Sequence, residues 1–150
     1  MTTHLDTPTA LLDLSGHTLG TTNWLDITQD QVNRFADATD DHQWIHTDPV
    51  RAAEGPFGGT IAHGYLTLSL APMVLAEVLE IDDTTAALNY GLNKVRFPAP
   101  VPVGARLRAT VTVTSAQQKP AGIETVFGLT YEVEGGGRPA CIADVVVLYR

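Results

Sequence analysis

The sequence predicts an α+β domain in which an antiparallel sheet wraps around one long central helix. Nearly every position of residues 61–79 is apolar, which indicates a helix covered on all sides. The residues that follow alternate between apolar and polar side chains in runs separated by Pro- and Gly-rich turns, as antiparallel strands do. One small sheet covers only one side of such a helix, so we expect two copies to associate as a homodimer.

Composition favours a single acidic domain and excludes one class of partner. The chain has 150 residues, which fits one domain over residues 1–150. Nine basic residues against 17 acidic residues give a net charge of −8, and no basic run occurs. Nucleic acid is recognised through clustered lysine and arginine, so it is not an expected partner.

Cysteine use and hydropathy favour a cytoplasmic protein. Cys141 is the only cysteine, so no internal disulfide can form, and its apolar neighbours indicate a core thiol. The first residues lack a basic segment followed by an apolar run, so we expect no secretion signal. His63 and Glu77 interrupt the apolar segment 61–79, and no basic flank follows it, so we expect no membrane span.

The first elements are an arm and a short helix. Residues 1–20 mix Thr, Asp, Pro and Gly, and we expect an N-terminal arm or a first strand there. Thr28 is followed three residues later by Gln31, which is the pattern of a capped helix N-terminus. The helix has one buried stripe, formed by Val32, Phe35 and Ala36, and the run DATDDH ends it.

A polar loop then leads into the long apolar segment. The loop is dense in acids, histidines, prolines and glycines. His63 and Gly64 stand at the start of the predicted helix, where unpaired backbone N–H groups favour a developing anion. Apolar residues continue on both sides of Pro72, so we predict that this proline kinks the helix without ending it.

The second half of the chain predicts an antiparallel meander. Residues 86–97 change the phase of their apolar positions, which predicts a β-bulge at Asn93 and Lys94. Alternation resumes in residues 107–114 and 123–133, and the last strand is expected over 141–149. Turns of sequence PAPVPVG, QQKPAG and GGGRP separate these strands.

Asp41 and His46 carry the chemical signal of the loop. They are five residues apart and converge only if the loop folds back, which its prolines and glycines permit. A carboxylate beside a histidine can hold one water and supports general acid/base chemistry near neutral pH. A solvated connecting loop has the same composition. His42 and His46 with an aspartate would form a zinc-like alternative, but nothing predicts a helix through residues 43–45, so we expect no metal.

The stretch DDHQWIHTDP followed by IAHGYLTLSL resembles the MaoC-like hydratases of the hotdog superfamily, the (R)-specific enoyl-CoA hydratases. The closer likeness is to a bacterial subgroup that includes nodulation-protein-N-like proteins, and it extends through NYGLNKVRFPAPVPVG. The hydratase motif of the family is D-x-N-P-x-H. Asp41 and His46 match its ends, whereas Gln43 and Trp44 replace the Asn and Pro, and Asp40 stands where the family commonly has Gly.

The resemblance implies a hotdog fold and reversible hydration of a trans-2-enoyl-CoA to an (R)-3-hydroxyacyl-CoA. Asp41 and His46 would activate a water, and the backbone N–H of Gly64 would bind the thioester oxygen. The remaining substrate-binding residues so implied are Gln43, Trp44, His63 and Tyr65, with Lys94 and Arg96 as contacts to the phosphates of CoA. No metal or organic cofactor is implied, and family members act as dimers.

Two other functions are compatible with the same fold. Some hotdog proteins are acyl-CoA thioesterases, which hydrolyse the thioester instead of hydrating the alkene. Others are non-catalytic subunits that pair with an active partner. Retention of Asp41 and His46 argues against both.

Overall fold

The computed structural model describes residues 1–150 and begins with an arm that packs onto the rest of the chain. Strand β1 (Thr3–Leu5) is followed by a 3₁₀ helix over Pro8–Asp13, strand β2 (Thr18–Thr21) and strand β3 (Leu25–Asp26). β1 pairs in parallel with β4 (Leu79–Ile81), which lies in the segment expected to be helix end and polar break. The predicted arm is therefore held at both ends by strand pairing.

Helix α1 (Gln29–Thr39) begins and ends where the sequence predicts. The hydroxyl of Thr28 accepts a hydrogen bond from the backbone N–H of Gln31 at 3.2 Å, which confirms the predicted cap. Asp40 ends the helix with a left-handed backbone, at φ 62° and ψ 26°. This conformation is usually taken by glycine, and aspartate is among the few residues that tolerate it.

The loop after α1 contains two short helices that the sequence analysis did not predict. α2 spans Trp44–Thr47 and α3 spans Pro49–Ala53. The expectation that no helix passes through residues 43–45 was therefore wrong. The carboxylate of Asp48 accepts from the backbone N–H of Arg51 at 3.1 Å, and Pro49 occupies the first turn of α3, which together start that helix.

The predicted long helix is divided in two. α4 spans Gly64–Ser69 and α5 spans Ala71–Val78, and Leu70 forms a turn between them. Pro72 has no N–H to donate to the carbonyl four residues back, and its ring crowds that carbonyl, so the break is sharper than the predicted kink. It is nevertheless one residue long, Leu70 keeps backbone angles in the right-handed helical region, and a second apolar helix follows directly.

The sheet has six strands in the order β2, β6, β7, β8, β5, with β3 also paired to β6, and all its pairs are antiparallel. β5 spans Ala87–Arg96, β6 Arg106–Lys119, β7 Gly122–Val133 and β8 Cys141–Tyr149. The meander holds for β6 to β8, but β5 lies beyond β8 at the sheet edge instead of beside β6. The register shift between Leu92 and Lys94 confirms the predicted bulge, and a second shift surrounds Tyr90.

The core lies between the concave side of the sheet and helices α4 and α5. Alternate residues of β6 and β7 point into it, as the polarity pattern predicts. The largest fully buried side chains include Tyr131, Phe127, Leu66, Leu129 and Val78. Cys141 belongs to this core, and burial raises the pKa of its thiol to about 11, which fits a packing role.

The opposite face of the central helices is exposed in the single chain. Tyr65 is 72% exposed and Met73 is 43% exposed. The helices are therefore apolar on every side but buried on only one. No helix of the structure combines the length and the apolar character needed to cross a membrane.

Candidate active site

His46 lies on α2 with its imidazole turned inward, at 7% exposure. Its Nδ1 is 2.6 Å from the backbone carbonyl of Ile61, and the backbone N–H of Ile61 donates to the carbonyl of Ile45 at 3.0 Å. Because a carbonyl only accepts, Nδ1 carries the proton in the neutral ring. Nε2 is therefore left with a lone pair, the form that a general base requires.

Gln29, in the first turn of α1, holds the backbone of His46 in place. Its side-chain amide donates to the carbonyl of His46 at 2.7 Å, and its amide oxygen accepts from the hydroxyl of Thr60 at 2.6 Å. The amide also reaches Asn33 at 2.9 Å. One side chain thus joins the start of α1, helix α2 and the segment before α4.

The pKa of His46 is lowered from its ordinary value of 6.5. Burial is the main cause, and a like charge on neighbouring His63 acts in the same direction. The hydrogen bond to Ile61 and the negative charge of Asp41 oppose the shift. The net direction keeps the imidazole neutral, with Nε2 unprotonated, at neutral pH.

Asp41 is brought to His46 by the left-handed residue Asp40, which turns the chain back at the end of α1. Ligand-type atoms of Asp41, His46 and His63 all lie within 4.8 Å of one another. The carboxylate of Asp41 is exposed and accepts a long hydrogen bond, 3.4 Å, from the backbone N–H of Gln43. A carboxylate and an unprotonated imidazole nitrogen therefore stand close enough to share one water.

The cluster differs from the zinc-like alternative considered from the sequence. His42 is turned toward solvent, with its ring nitrogens 3.3 Å from Asp40 and 3.8 Å from Asp37. His63 takes its place beside His46, but the two rings are stacked, 3.9 Å apart at 25°. Imidazole lone pairs lie in the ring plane, so those of stacked rings run side by side and do not converge on one ion.

Gly64 opens α4, and no backbone or side-chain group accepts from its N–H. α4 is only six residues long, so this unpaired donor is a better source of anion stabilisation than the macrodipole of the predicted long helix. A Cβ at this position would come within 3.3 Å of three ring atoms of Phe97. Glycine therefore lets Phe97 lie closer to the backbone here than a side chain would allow without a shift of the ring.

His46 and Gly64 line the same pocket, which has a volume of about 330 Å³. The other lining residues are mostly apolar: Phe57, Ile61, Ala62, Thr67, Phe97, Pro98, Ala99, Pro100, Val101 and Ala140. Phe57 and Phe97 are partly exposed and stand at its rim. Two residues that carry an unprotonated base and a free amide donor thus line one mostly apolar cavity, the usual kind of site for a small organic ligand.

The remaining predicted site residues lie at different depths. Gln43 is exposed beside the cluster, and Trp44 turns away from the pocket to stack under the guanidinium of Arg51 at 4.3 Å. His63 is 2% exposed and lies behind His46. Tyr65 is at the surface, with its ring 6.4 Å from that of Phe97.

Lys94 and Arg96 are exposed on β5 and do not line the pocket.

Several residues around the site were missed by the sequence analysis. Gln29 was noted only as part of a helix start, and Phe57, Thr67 and Phe97 only as apolar or polar positions in their segments. The pattern Phe-Pro-Ala-Pro after β5 was a signal for a rigid wall, because prolines fix the backbone. Its position opposite Gly64 depends on how the chain crosses from β5 to β6.

Comparison with known proteins identifies the family of the chain. Residues 13–134 match the model of the MaoC like domain. The chain is 52% identical over 136 residues to 3-hydroxyacyl-thioester dehydratase Z of Mycobacterium tuberculosis, covering 90% of each protein. It is 44% identical over 138 residues to nodulation protein N of Rhizobium leguminosarum, covering 90% of this chain and 86% of that one.

The fold is also found among solved structures. An (R)-hydratase from A. caviae superposes with a TM-score of 0.75 at 24% identity, over 91% of this chain and 96% of that chain. At this identity the likeness concerns the fold, and it confirms the hotdog arrangement of sheet and helix.

Proposed function

Because the chain belongs to the MaoC-like dehydratase family, we propose that it catalyses the reversible hydration of a trans-2-enoyl-CoA to an (R)-3-hydroxyacyl-CoA. The observation that carries this proposal is that His46, whose Nδ1 contacts the carbonyl of Ile61, and Gly64, whose N–H has no partner, line one pocket, with Asp41 beside His46. The mycobacterial relative is named for the dehydration of a 3-hydroxyacyl thioester, which is the same reaction in reverse.

The acid/base pair supplies the two proton transfers. In the hydration direction, the water held between Asp41 and His46 bonds through its oxygen to the β-carbon and gives one proton to Nε2 of His46. The electrons of the double bond move toward the thioester oxygen as an enolate. A proton returned from the pair to the α-carbon completes the net addition of one water.

The amide of Gly64 stabilises the charge that develops on the thioester oxygen. Such a donor is most effective when it is fixed before the reaction and has no other partner. The Gly64 N–H meets both conditions, since it opens α4 and Phe97 packs against its Cα side. Binding of the ground-state carbonyl at the same point orients the alkene toward His46.

The acyl chain occupies the apolar pocket beside Phe57 and Phe97, and the CoA arm extends to the surface. Gln43 and Tyr65 are exposed near the pocket and are proposed to contact the substrate, whereas Trp44 and His63 support the loop that carries the pair. Lys94 and Arg96 are exposed cations in an acidic protein and are proposed to contact the phosphates of CoA. This assignment needs no metal or organic cofactor.

A homodimer is proposed as the working form. β5 is an edge strand whose side chains are nearly all exposed, among them Leu88, Tyr90 and Leu92. An apolar groove of about 370 Å³ lies between β5 and helices α4 and α5. Exposed apolar edges of this kind are normally covered, and a second copy offers the same edge in return.

The test is an assay with crotonyl-CoA. We expect the absorbance of the conjugated enoyl thioester to fall without release of free thiol, and chiral analysis of the product to give the (R) alcohol. Release of thiol would contradict hydration and indicate the thioesterase. Absence of turnover with enoyl thioesters of every chain length would instead indicate a non-catalytic subunit.

A further inference from the structure

His63 contacts all three groups that the proposed reaction uses. Its Nε2 lies 3.0 Å from the backbone carbonyl of Asp41. Its ring stacks on that of His46, with centroids 3.9 Å apart, and on its other side it meets the ring of Phe35 at 4.8 Å. In the sequence it directly precedes Gly64, and its own carbonyl accepts the first hydrogen bonds of α4, from Leu66 and Thr67.

The protonation of the ring follows from these contacts. The carbonyl of Asp41 can only accept, so Nε2 of His63 carries the proton in the neutral ring. Nδ1 then holds a lone pair, and it is buried with no hydrogen-bond partner. Because no solvent reaches Nδ1, neither a water nor a substrate can use it. His63 therefore acts through its neighbours.

The unpartnered nitrogen shows that His63 is more than a packing residue. A buried acceptor without a donor is unfavourable, and a phenylalanine would fill the space between Phe35 and His46 without it. What phenylalanine lacks is the N–H that reaches Asp41. The hydrogen bond from Nε2–H to Asp41 is therefore the feature of His63 that offsets the cost of leaving Nδ1 without a partner.

Asp41 has few other anchors. Neither its backbone N–H nor its carbonyl pairs with another backbone group, and its carboxylate has only the long contact to the N–H of Gln43. It is exposed and follows Asp40, whose side chain is 95% exposed and contacts His42 at the surface. The hydrogen bond from His63 is thus the one short link between Asp41 and the buried part of the site.

We propose that His63 is a positioning residue whose Nε2–H fixes Asp41 relative to His46 and the Gly64 amide, so that the acid/base pair and the oxyanion donor move as one unit. This inference rests on the hydratase function proposed above. Misplacement of a reacting group by about 1 Å can lower a rate by ~100-fold. Loss of the donor should therefore lower kcat, while the pocket that binds the acyl chain, and with it KM, changes little.

The test compares two substitutions of similar size. His63→Gln and His63→Met both remove the ring, but only glutamine can donate to the Asp41 carbonyl. We expect His63→Met to lose ~30-fold or more in kcat with KM changed by less than ~3-fold, and His63→Gln to stay within ~5-fold of the unchanged protein. His63→Phe, which keeps a ring without the donor, should behave like His63→Met. Equal kcat in the glutamine and methionine variants would overturn the proposal.

A second measurement does not depend on turnover. Amide hydrogen exchange at His46, whose N–H donates to the carbonyl of Gln43 within this loop at 3.0 Å, should be at least ~10-fold faster in His63→Met than in His63→Gln, because the loop loses its link to the core. Equal exchange in both variants would overturn the positioning role even if the protein proved not to hydrate enoyl thioesters. Conversely, faster exchange in an inactive protein would uphold the link and contradict only the hydratase function.

Discussion

The loop of the candidate site, residues 40–47, and the edge strand β5 differ in how completely a single chain forms them. In the loop, His46 is buried. Its ring donates to the carbonyl of Ile61, and its own carbonyl accepts from the side-chain amide of Gln29. On β5, apolar side chains such as Tyr90 and Leu92 are 69% and 50% exposed, and the outer edge of the strand pairs with nothing. One region holds its central imidazole by hydrogen bonds within the chain, and the other leaves its apolar surface uncovered.

This difference indicates that the chemistry and the association of the protein can be separated. Polar groups inside the site are held by short-range bonds within one chain, so a substitution there changes the reaction and leaves the surface intact. The surface around β5 depends on burial of apolar area, so a charge there changes association first. Each experiment below tests one side of this comparison against the other.

The largest effect is expected from the acid/base pair. Asp41→Asn and His46→Gln should each lower kcat by at least ~100-fold, because each removes a proton carrier while changing little volume. The molar mass in solution should not change. Steady-state kinetics measures the fall in kcat, and light scattering measures the molar mass. Asp40→Asn is the control and should be mild, since this carboxylate contacts His42 at the surface. Full activity of Asp41→Asn would remove the site assignment.

A charge on β5 should break association. We expect the unchanged protein to have twice the 16.1 kDa mass of one chain, and Leu92→Glu to weaken the dimer by ~100-fold or more, because two like charges would be buried in one interface. Light scattering over a dilution series measures this. Gln118→Glu adds the same charge to an exposed end of β6 and should have no effect. A monomer at every concentration of the unchanged protein would contradict the comparison.

The lowered pKa of His46 makes the free energy of unfolding depend on pH, and this dependence belongs to the site and not to the surface around β5. The unfolded chain binds a proton on this histidine near pH 6.5, and the folded protein does so only at lower pH. The contribution of neutral His46 to the free energy of unfolding is therefore complete above pH 6.5. It is lost as the pH falls below that value, by at most ~1.4 kcal/mol per pH unit. Urea unfolding of the unchanged protein and His46→Gln at pH 7.5 and 5.5 measures the difference.

Comparing the unchanged protein with His46→Gln cancels the effect of other titrating groups on stability. The pKa of exposed His4 is raised by its hydrogen bond to Asp82, so its effect on stability has the opposite sign and is present in both proteins. Only the part that disappears in His46→Gln belongs to the site. The same loss of stability in both proteins on acidification would contradict the buried, neutral state of His46.

The smallest effect concerns the turn that delivers Asp41. Asp40→Gly should raise the free energy of unfolding by about 0.5–1 kcal/mol, because glycine adopts φ near 62° without strain. The same change at Asp37, inside α1, should lower it by about 0.3 kcal/mol, because aspartate is already a weak helix former and glycine is weaker still. Thermal unfolding of the two variants gives the two signs, and kcat of Asp40→Gly should change by less than ~3-fold if the turn geometry is kept. Destabilisation by Asp40→Gly would show that the aspartate side chain has a role of its own.

Much of the architecture followed from local patterns. Alternating polarity predicted β6, β7 and β8, because side chains of a strand point to opposite faces whatever surrounds it. The cap at Thr28 and the bulge before Lys94 could also be predicted, because each depends on only a few neighbouring residues. The spacing of Asp41 and His46, read with the family resemblance, located the loop of the candidate site.

Only the tertiary structure decided what surrounds those residues. Gln29 meets His46, and Phe97 meets Gly64, across 17 and 33 positions of chain, and no periodicity encodes such distances. The position of β5 beyond β8 was likewise set by the crossover to β6, not by the polarity of the strand. The sequence by itself determined which acid/base groups the loop offers, because these depend only on residue identity and spacing. The fold determined the tautomer of His46 and the contacts of His63 with Asp41 and His46, because stacking and a carbonyl 22 residues away exist only in three dimensions.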